Sequence, residues 1–306
     1  MKQFRIYGAI ILSMIFWSLS FIWFKQANVN YKPLTIIFLR LVFAVIMLSI
    51  YLIMKGDFNV IKKEDRKWFL LLAVFEPFLY FIGESTGLTY VTSTTGSVII
   101  STIPAVVALA AWLFFRERLR LINYAGIFLS FAGIVVFVLD GTGALSFNIK
   151  GLLLLLLAVF SAAGYNITLG RLVGSYSPVF IVNIQNIIGV ILFAPIFILT
   201  DFSNFFRSSH SLSSLLPVLE LALFASCGAF ILFGWSVKQI GVARVNPFTN
   251  FIPIFTAVFS FFILGNTLTL QNITGMIIVI SGIFLSQING ARKISGEVPD
   301  LAGKTA

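Results

Sequence analysis

Apolar residues run along this chain in blocks of roughly 20, separated by short polar connections. The blocks fall near 4–25, 34–54, 68–89, 94–115, 121–139, 150–171, 178–200, 214–237, 243–264 and 270–288. Each is continuous rather than alternating, which fits a spanning helix and not a strand of a membrane barrel. The pattern predicts an all-α polytopic membrane protein with ten transmembrane helices. The first block, Ile6 to Phe24, follows the basic stretch Met1 to Arg5, as in a signal peptide. Lys25, Gln26 and Asn28 come next instead of a small-residue cleavage site, so the block is read as the first span. The connections are too short for a soluble domain. The polar tail over 289–306, with Lys293, Gly296, Pro299 and Gly303, is expected to be a disordered cytoplasmic segment.

A second pattern lies inside the blocks. Ile103-Pro104, Ala108, Leu119, Leu121, Asn123, Gly126 and Gly133-Ile134 recur 149 residues later. Their counterparts are Ile252-Pro253, Ala257, Leu268, Leu270, Asn272, Gly275 and Gly282-Ile283. The match marks an internal repeat, with halves at 4–139 and 150–288. The start of each half aligns less well: Pro33 and Pro178 match at an offset of 145, which pairs Arg40 with Gln185. Five spans per half is an odd number, so the second half enters the membrane from the opposite side. The two five-helix repeats are therefore expected to be inverted, a geometry that gives two faces able to open in turn around a midplane site. With the N-terminus inside, 16 Lys and Arg fall on the cytoplasmic side. Only Lys25, Lys32, Lys150 and Arg207 fall outside, and Arg40 stays within a span. That asymmetry places both termini in the cytoplasm.

Composition agrees. The chain is 59% hydrophobic and 10% charged, with mean hydropathy +1.02, against about 25% charged for a soluble domain. The net charge of +10 sits between apolar runs, so it reads as a topology signal and not as a nucleic-acid surface. Cys227 is the only cysteine and lies in an apolar run, so it is expected to be an inert packing residue. His210, the only histidine, lies in a Ser-rich loop. No metal site, cofactor or enzyme activity is expected: Asp140 and Asp201 lie near outer span ends, and no histidine is embedded. Usage rich in Ile, Phe, Lys and Asn suggests an AT-rich bacterial genome, hence a bacterial inner membrane.

Motifs spread along the chain carry a family resemblance. They are Trp17-Ser18-Leu19-Ser20-Phe21, Leu39-Arg40, Glu76-Pro77, Gly83-Glu84-Ser85, Ile103-Pro104, Arg116-Glu117-Arg118, Asn246-Pro247 and Ile252-Pro253. In order and duplication the chain resembles the ten-helix EamA type of the drug/metabolite transporter superfamily, over roughly residues 4 to 288. The family commonly ends its fourth and ninth helices with Gly-Glu, whereas this chain has Arg116-Glu117 and Gly265-Asn266. The resemblance implies secondary transport, often export, of small metabolites or drugs by alternating access. It implies a small-molecule substrate and the lipid bilayer as partners, with monomer and homodimer both left open; protons as a further partner are suggested by the Glu residues within the spans and not by the resemblance. A facilitative channel-like permease and a non-transporting scaffold or sensor are the alternatives.

Several residues are candidates for chemistry. Glu76 and Glu84 lie eight apart in the third block with Tyr80 midway, so on a regular helix they sit about 80° apart on one broad face. A carboxyl in hydrocarbon is costly unless paired, wetted or protonated. Two readings stand: proton carriers lining a cavity, or protonated groups bonding carbonyls freed by Pro77. Arg40 either snorkels, pairs with a Glu or meets an anionic substrate group. Lys25 and Lys32 are read as solvated, and Glu220 as a residue of an outer vestibule. Pro104 and Pro253 are expected as mid-helix kinks or hinges. Asn246 and Asn250, with Ser101 at the position matching Asn250, offer uncharged hydrogen bonds. Tyr165 and Asn166 match Ser20 and Phe21 at the offset of 145. Trp17, Tyr80 and Trp235 are candidate aromatic walls. Gly126, Gly133, Gly275 and Gly282 are expected to permit close helix packing.

Overall fold

The protein is described by a computed structural model over residues 2–56, 59–107, 120–138, 148–207 and 210–288. The expected tail at 289–306, Arg116, Glu117, Arg118 and Asp140 lie outside the described residues. Among the described residues all regular structure is helical. Among the described residues, seven helices are long and apolar enough to cross a membrane: Gln3–Ala27, Pro33–Lys55, Lys63–Gly87, Ile149–Leu172, Pro178–Thr200, Leu212–Ile240 and Asn246–Leu264. Three more apolar helices, Ser93–Val107, Leu121–Phe137 and Leu270–Ser286, are shorter.

The continuous segments are α1 (Lys2–Ala27), α2 (Pro33–Lys55), α3 (Arg66–Ala73), α4 (Tyr80–Gly87), α5 (Ser93–Ile100) and α6 (Leu121–Val138). They continue with α7 (Ile149–Leu172), α8 (Pro178–Thr200), α9 (Leu212–Glu220), α10 (Phe230–Ile240), α11 (Ile252–Leu264) and α12 (Leu270–Gln287). Their starts follow from local sequence. Pro33 and Pro178 open α2 and α8, where a missing N–H goes unmissed. Thr92, Ser177, Ser211 and Thr269 accept backbone N–H groups at the starts of α5, α8, α9 and α12.

Two apolar blocks are not single α-helices. Between α3 and α4, residues Val74–Leu79 leave the α pattern, and Glu76 is extended at φ −147° and ψ 119°. The Glu76–Pro77 peptide is cis. Between α9 and α10, Leu221–Ala229 is π-helical. The regular-helix arithmetic that put Glu76 and Glu84 about 80° apart therefore does not apply across Val74–Leu79.

The two prolines expected in mid-helix stand elsewhere. Pro253 is the second residue of α11 and follows a 3-10 segment, Asn246–Phe251. Pro104 follows a turn at 101–102, in the helical stretch 103–107. Each irregular turn precedes its proline, which then occupies a first-turn position where its missing N–H costs little.

α1 packs on α9, α10 and α11, and α7 packs on α3, α4 and α5. α2 lies along α8. Large apolar side chains such as Ile53, Phe128, Leu199 and Phe262 point outward and are exposed. They face where lipid would lie, and no soluble partner is needed to explain them.

α6 and α12 form the most intimate pair. An added Cβ on Gly133 would fall 2.5 Å from the backbone N of Val279, and one on Gly275 2.5 Å from Cα of Phe137. Gly126 and Gly282 likewise face the backbone of the opposite helix. Without a hydrophobic force between helices in lipid, such close approach and interhelical hydrogen bonds hold the pair. The hydrogen bonds are reciprocal. Asn123 Nδ2 donates to the carbonyls of Ser286 and Ile288 at 2.8 and 2.9 Å, at the end of α12. Asn272 Nδ2 donates to Phe137 O at 2.9 Å, at the end of α6. Each asparagine, at the start of one helix, satisfies carbonyls left free at the end of the other.

Gly282→Val and Gly133→Val should each destabilise this pair by about 1–3 kcal/mol, read as a lower unfolding temperature in detergent. Gly8→Ala should lose nothing, since no atom lies within 4 Å of its added Cβ. A Gly282→Val protein as stable as the parent would show that α6 and α12 do not meet in this way.

Candidate functional site

A central cavity of about 50 Å3 lies between the two halves of the chain. The first half contributes Trp17, Ser20 and Phe21 from α1, Arg40 from α2, Glu76, and Tyr80, Phe81 and Glu84 from α4, with Ile100 and Ile103 beyond. The second contributes Ala162, Tyr165 and Asn166 from α7, Phe230 and Phe233 from α10, and Asn246, Thr249 and Ile252. The break at Val74–Leu79 sets Glu76 on the same cavity as Glu84 despite the lost helical register.

All the charge comes from the first half. Arg40 is 3% exposed, and its Nε donates to Ser226 Oγ at 2.9 Å. The guanidinium carbon lies 4.2 Å from the centre of the Phe81 ring, a cation–π contact. Glu84, Tyr80 and Glu76 lie within electrostatic reach. Among the described residues no carboxylate oxygen comes within 4.0 Å of the guanidinium, so the close ion pair of Arg40 with Glu76 or Glu84 allowed by the sequence is not formed. The physical reason is occupation: Ser226 and Phe81 hold the guanidinium, and Glu84 instead accepts the Tyr80 hydroxyl at 3.2 Å.

The second half brings aromatics and amides. Trp17 meets Phe230 and Phe233 at ring-centroid distances of 5.2 and 5.0 Å, and Tyr165 meets Phe230 edge-on at 5.8 Å. Tyr165 Oη, Asn166 Oδ1 and Asn246 Oδ1 are buried without a hydrogen-bond partner. Tyr165 lies beside Gln185, whose Oε1 is also unpartnered, and the two stop short of hydrogen-bond geometry. Buried polar atoms left unpaired cost about 1–3 kcal/mol each. A solute or water at this place would relieve that cost.

Three candidates fall elsewhere. Trp235 is half-buried outside the cavity, and Phe230 and Phe233 occupy the wall expected of it, because they share the inward side of α10. Ser101 is buried, with its hydroxyl spent on Val98 O at 2.7 Å. Asn250 is buried with both side-chain polar atoms unpartnered, but it does not line the cavity. Pro104 and Pro253 are also absent from its lining, although Ile103 and Ile252 beside them are present.

The expectations for exposed groups also change. Lys25 is half-buried, and its Nζ donates to the carbonyls of Leu88 and Val91, beyond the end of α4. Lys32 is largely exposed and pairs with Asp201 at 3.5 Å. Glu220 is half-buried and lines neither the central cavity nor a second one of about 410 Å3 around Lys25 and Tyr90. Sequence reasoning missed Ser226, the direct partner of Arg40, and the walls Phe81, Phe230 and Phe233. The repeat held a signal for two of them, since an offset of 149 carries Phe81 to Phe230 and Glu84 to Phe233.

Known proteins share this architecture. A family model described as the EamA-like transporter family matches residues 5–139 and again 149–288. A protein of Archaeoglobus fulgidus named as an uncharacterized transporter is 26% identical over 281 residues, covering 90% of this chain and 95% of its own length. The Bacillus subtilis protein named uncharacterized transporter YcxC is 25% identical over 298 residues, covering 95% of this chain and 96% of its own. A solved crystal structure superposes with a TM-score of 0.68 over 92% of this chain and 95% of that one, at 15% identity, which shows a shared fold. With both halves matched and a helical, strongly apolar structure around a central cavity, the chain belongs to the EamA-like transporter family and is a multi-pass membrane transporter.

Proposed function

We propose that this protein is a secondary active transporter that exports a small organic metabolite or drug by alternating access, with protons carried on Glu84 and Glu76. In this reading it has ten spans in two inverted repeats, at 4–139 and 150–288, with both termini in the cytoplasm of a bacterial inner membrane. It needs no cofactor and performs no covalent chemistry.

One observation carries the reading. The cavity wall is built in matched pairs. At the offset of 145, Trp17, Ser20 and Phe21 correspond to Ala162, Tyr165 and Asn166, and all six line the cavity. At 149, Phe81, Glu84, Ile100 and Ile103 correspond to Phe230, Phe233, Thr249 and Ile252, and all eight line it too. A site enclosed by equivalent positions of two inverted units has equivalent routes to both membrane faces. The pairs match in position and differ in chemistry, as Glu84 and Phe233 show, so the site can be asymmetric while the scaffold is paired.

Size supports moving walls over a fixed pore. A cavity of about 50 Å3 holds a few waters at most, whereas small-molecule pockets measure about 300–1,000 Å3. Helices must separate before an organic solute enters. Arg40 then serves as a fixed positive charge facing two carboxyls, and the unpaired Tyr165, Asn166 and Asn246 atoms orient polar groups of the solute.

Purified protein in proteoliposomes, tested with labelled amino acids, nucleosides and cationic drugs, should show saturable flux of one class that responds to a proton gradient. Glu84→Gln should remove the response to the gradient. Flux that ignores the gradient, or that keeps its response in both Glu84→Gln and Glu76→Gln, would refute coupling through these groups. The topology is checked separately in a Cys227→Ala background. A cysteine at Asn30 should react with an impermeant maleimide only from outside, and one at Gly174 only from the cytoplasmic side. Reaction of both from one side would exclude inverted repeats.

A further inference from the structure

Tyr31 and Tyr176 stand at the same offset of 145 that relates Pro33 to Pro178, each two residues before the proline that opens α2 or α8. Both rings are buried, although both lie in connections between helices. Their hydroxyls do parallel work at opposite faces. Tyr31 Oη lies 3.1 Å from His210 Nδ1 and 3.3 Å from Ser214 Oγ, in the first turn of α9. Its ring stacks on His210 at 5.9 Å. Beside it, Asp201 accepts from Thr35 at 3.2 Å and pairs with Lys32 at 3.5 Å.

At the other face, Tyr176 Oη donates to Asp65 Oδ2 at 2.8 Å and accepts the backbone N–H of Lys62 at 3.1 Å. Asp65 directly precedes α3, and Phe69 within α3 meets the Tyr176 ring edge-on at 5.1 Å. Lys238 Nζ donates to the Tyr176 carbonyl at 3.3 Å. Burial, opposed by the Lys62 N–H and reinforced by Asp65, pushes the Tyr176 phenol above its ordinary value, so it stays a donor.

The two clasped segments share a second feature. α3 leads into the break at Val74–Leu79, and α9 leads into the π-helical Leu221–Ala229. Each is a short arm, tied at its outer end by a tyrosine and joined at its inner end to a segment without regular α hydrogen bonds. Such segments are where helices bend. Each arm also packs on the other half of the chain: α3 on α7 and α8, α9 on α1 and α2.

We propose that Tyr31 and Tyr176 are the paired gate residues of the transport cycle, Tyr31 locking the α9 arm at the outer face and Tyr176 locking the α3 arm at the cytoplasmic face. Both clasps are closed in this structure, in keeping with the small cavity. Opening to one side releases one clasp and bends one arm while the other clasp holds. The assignment rests on the alternating-access reading.

The test uses Ser20→Cys, in the cavity wall, in a Cys227→Ala background, labelled with an impermeant maleimide in right-side-out and inverted vesicles. The parent should label from both faces. Tyr176→Phe removes one hydroxyl pair and should speed labelling from the cytoplasmic face by roughly three- to tenfold, while slowing it from outside. Tyr31→Phe should do the reverse. Asp65→Ala and Ser214→Ala remove the partners and should reproduce the two effects. Opposite shifts are the decisive readout, since mere loss of structure speeds labelling from both faces. Shifts of the same sign, or no shift, overturn the gate assignment and leave alternating access standing. A parent that labels from one face alone overturns both.

Discussion

A guanidinium buried in a low-dielectric interior is the constraint around which the site is organised. Arg40 cannot be left bare, because an unpaired charge in such surroundings is strongly unfavourable. The fold meets that demand from both halves of the chain: Ser226 supplies a hydroxyl, Phe81 a ring face, and Glu84 and Glu76 an opposing field. Supplying Ser226 brings the π-helical segment after α9 against α2. Supplying Glu76 goes with the departure of the third block from a regular helix. The irregular backbone thus lies where the chain surrounds charge and a cavity, the setting in which non-α backbone is tolerated at membrane depth.

The rest of the chain is ordered by that division. α6 and α12 are locked by glycines and reciprocal asparagine caps, and none of their residues lines the central cavity. Around the cavity, by contrast, polar atoms go unpaired and helices are interrupted. Close backbone packing gives the first group one arrangement. Interrupted helices and unpaired polar atoms give the second group a framework in which more than one arrangement is accessible at modest cost.

Much of this was legible in the sequence, for definite reasons. Block length against bilayer thickness predicts the long helices, and the echo from Ile103 to Ile252 marks the paired construction. Trp17, Ser20, Arg40, Glu76, Tyr80, Glu84, Tyr165, Asn166 and Asn246 stand out as polar or aromatic residues in apolar runs, and the structure gathers all of them at one cavity. What escaped depended on geometry that periodicity does not encode. A 100° step per residue fails across Val74–Leu79 and Leu221–Ala229. Residue type singles out Trp235 in α10, whereas the side of α10 that turns inward carries Phe230 and Phe233. Ser226 looks like any small hydroxyl in an apolar run until α2 is laid beside it. Lys25 looks solvated until the carbonyls of Leu88 and Val91 are brought to its ammonium group.

The most direct measurement is a double-mutant cycle on Arg40 and Glu84, scored by thermal unfolding of the purified protein. If the carboxyl of Glu84 offsets the buried guanidinium, Arg40→Met and Glu84→Gln each destabilise, and the double variant loses less than the two losses together, by about 0.5–3 kcal/mol. Losses that simply add would show that the two groups ignore each other. The charge balance at the centre of this cavity would then have to be assigned to other residues.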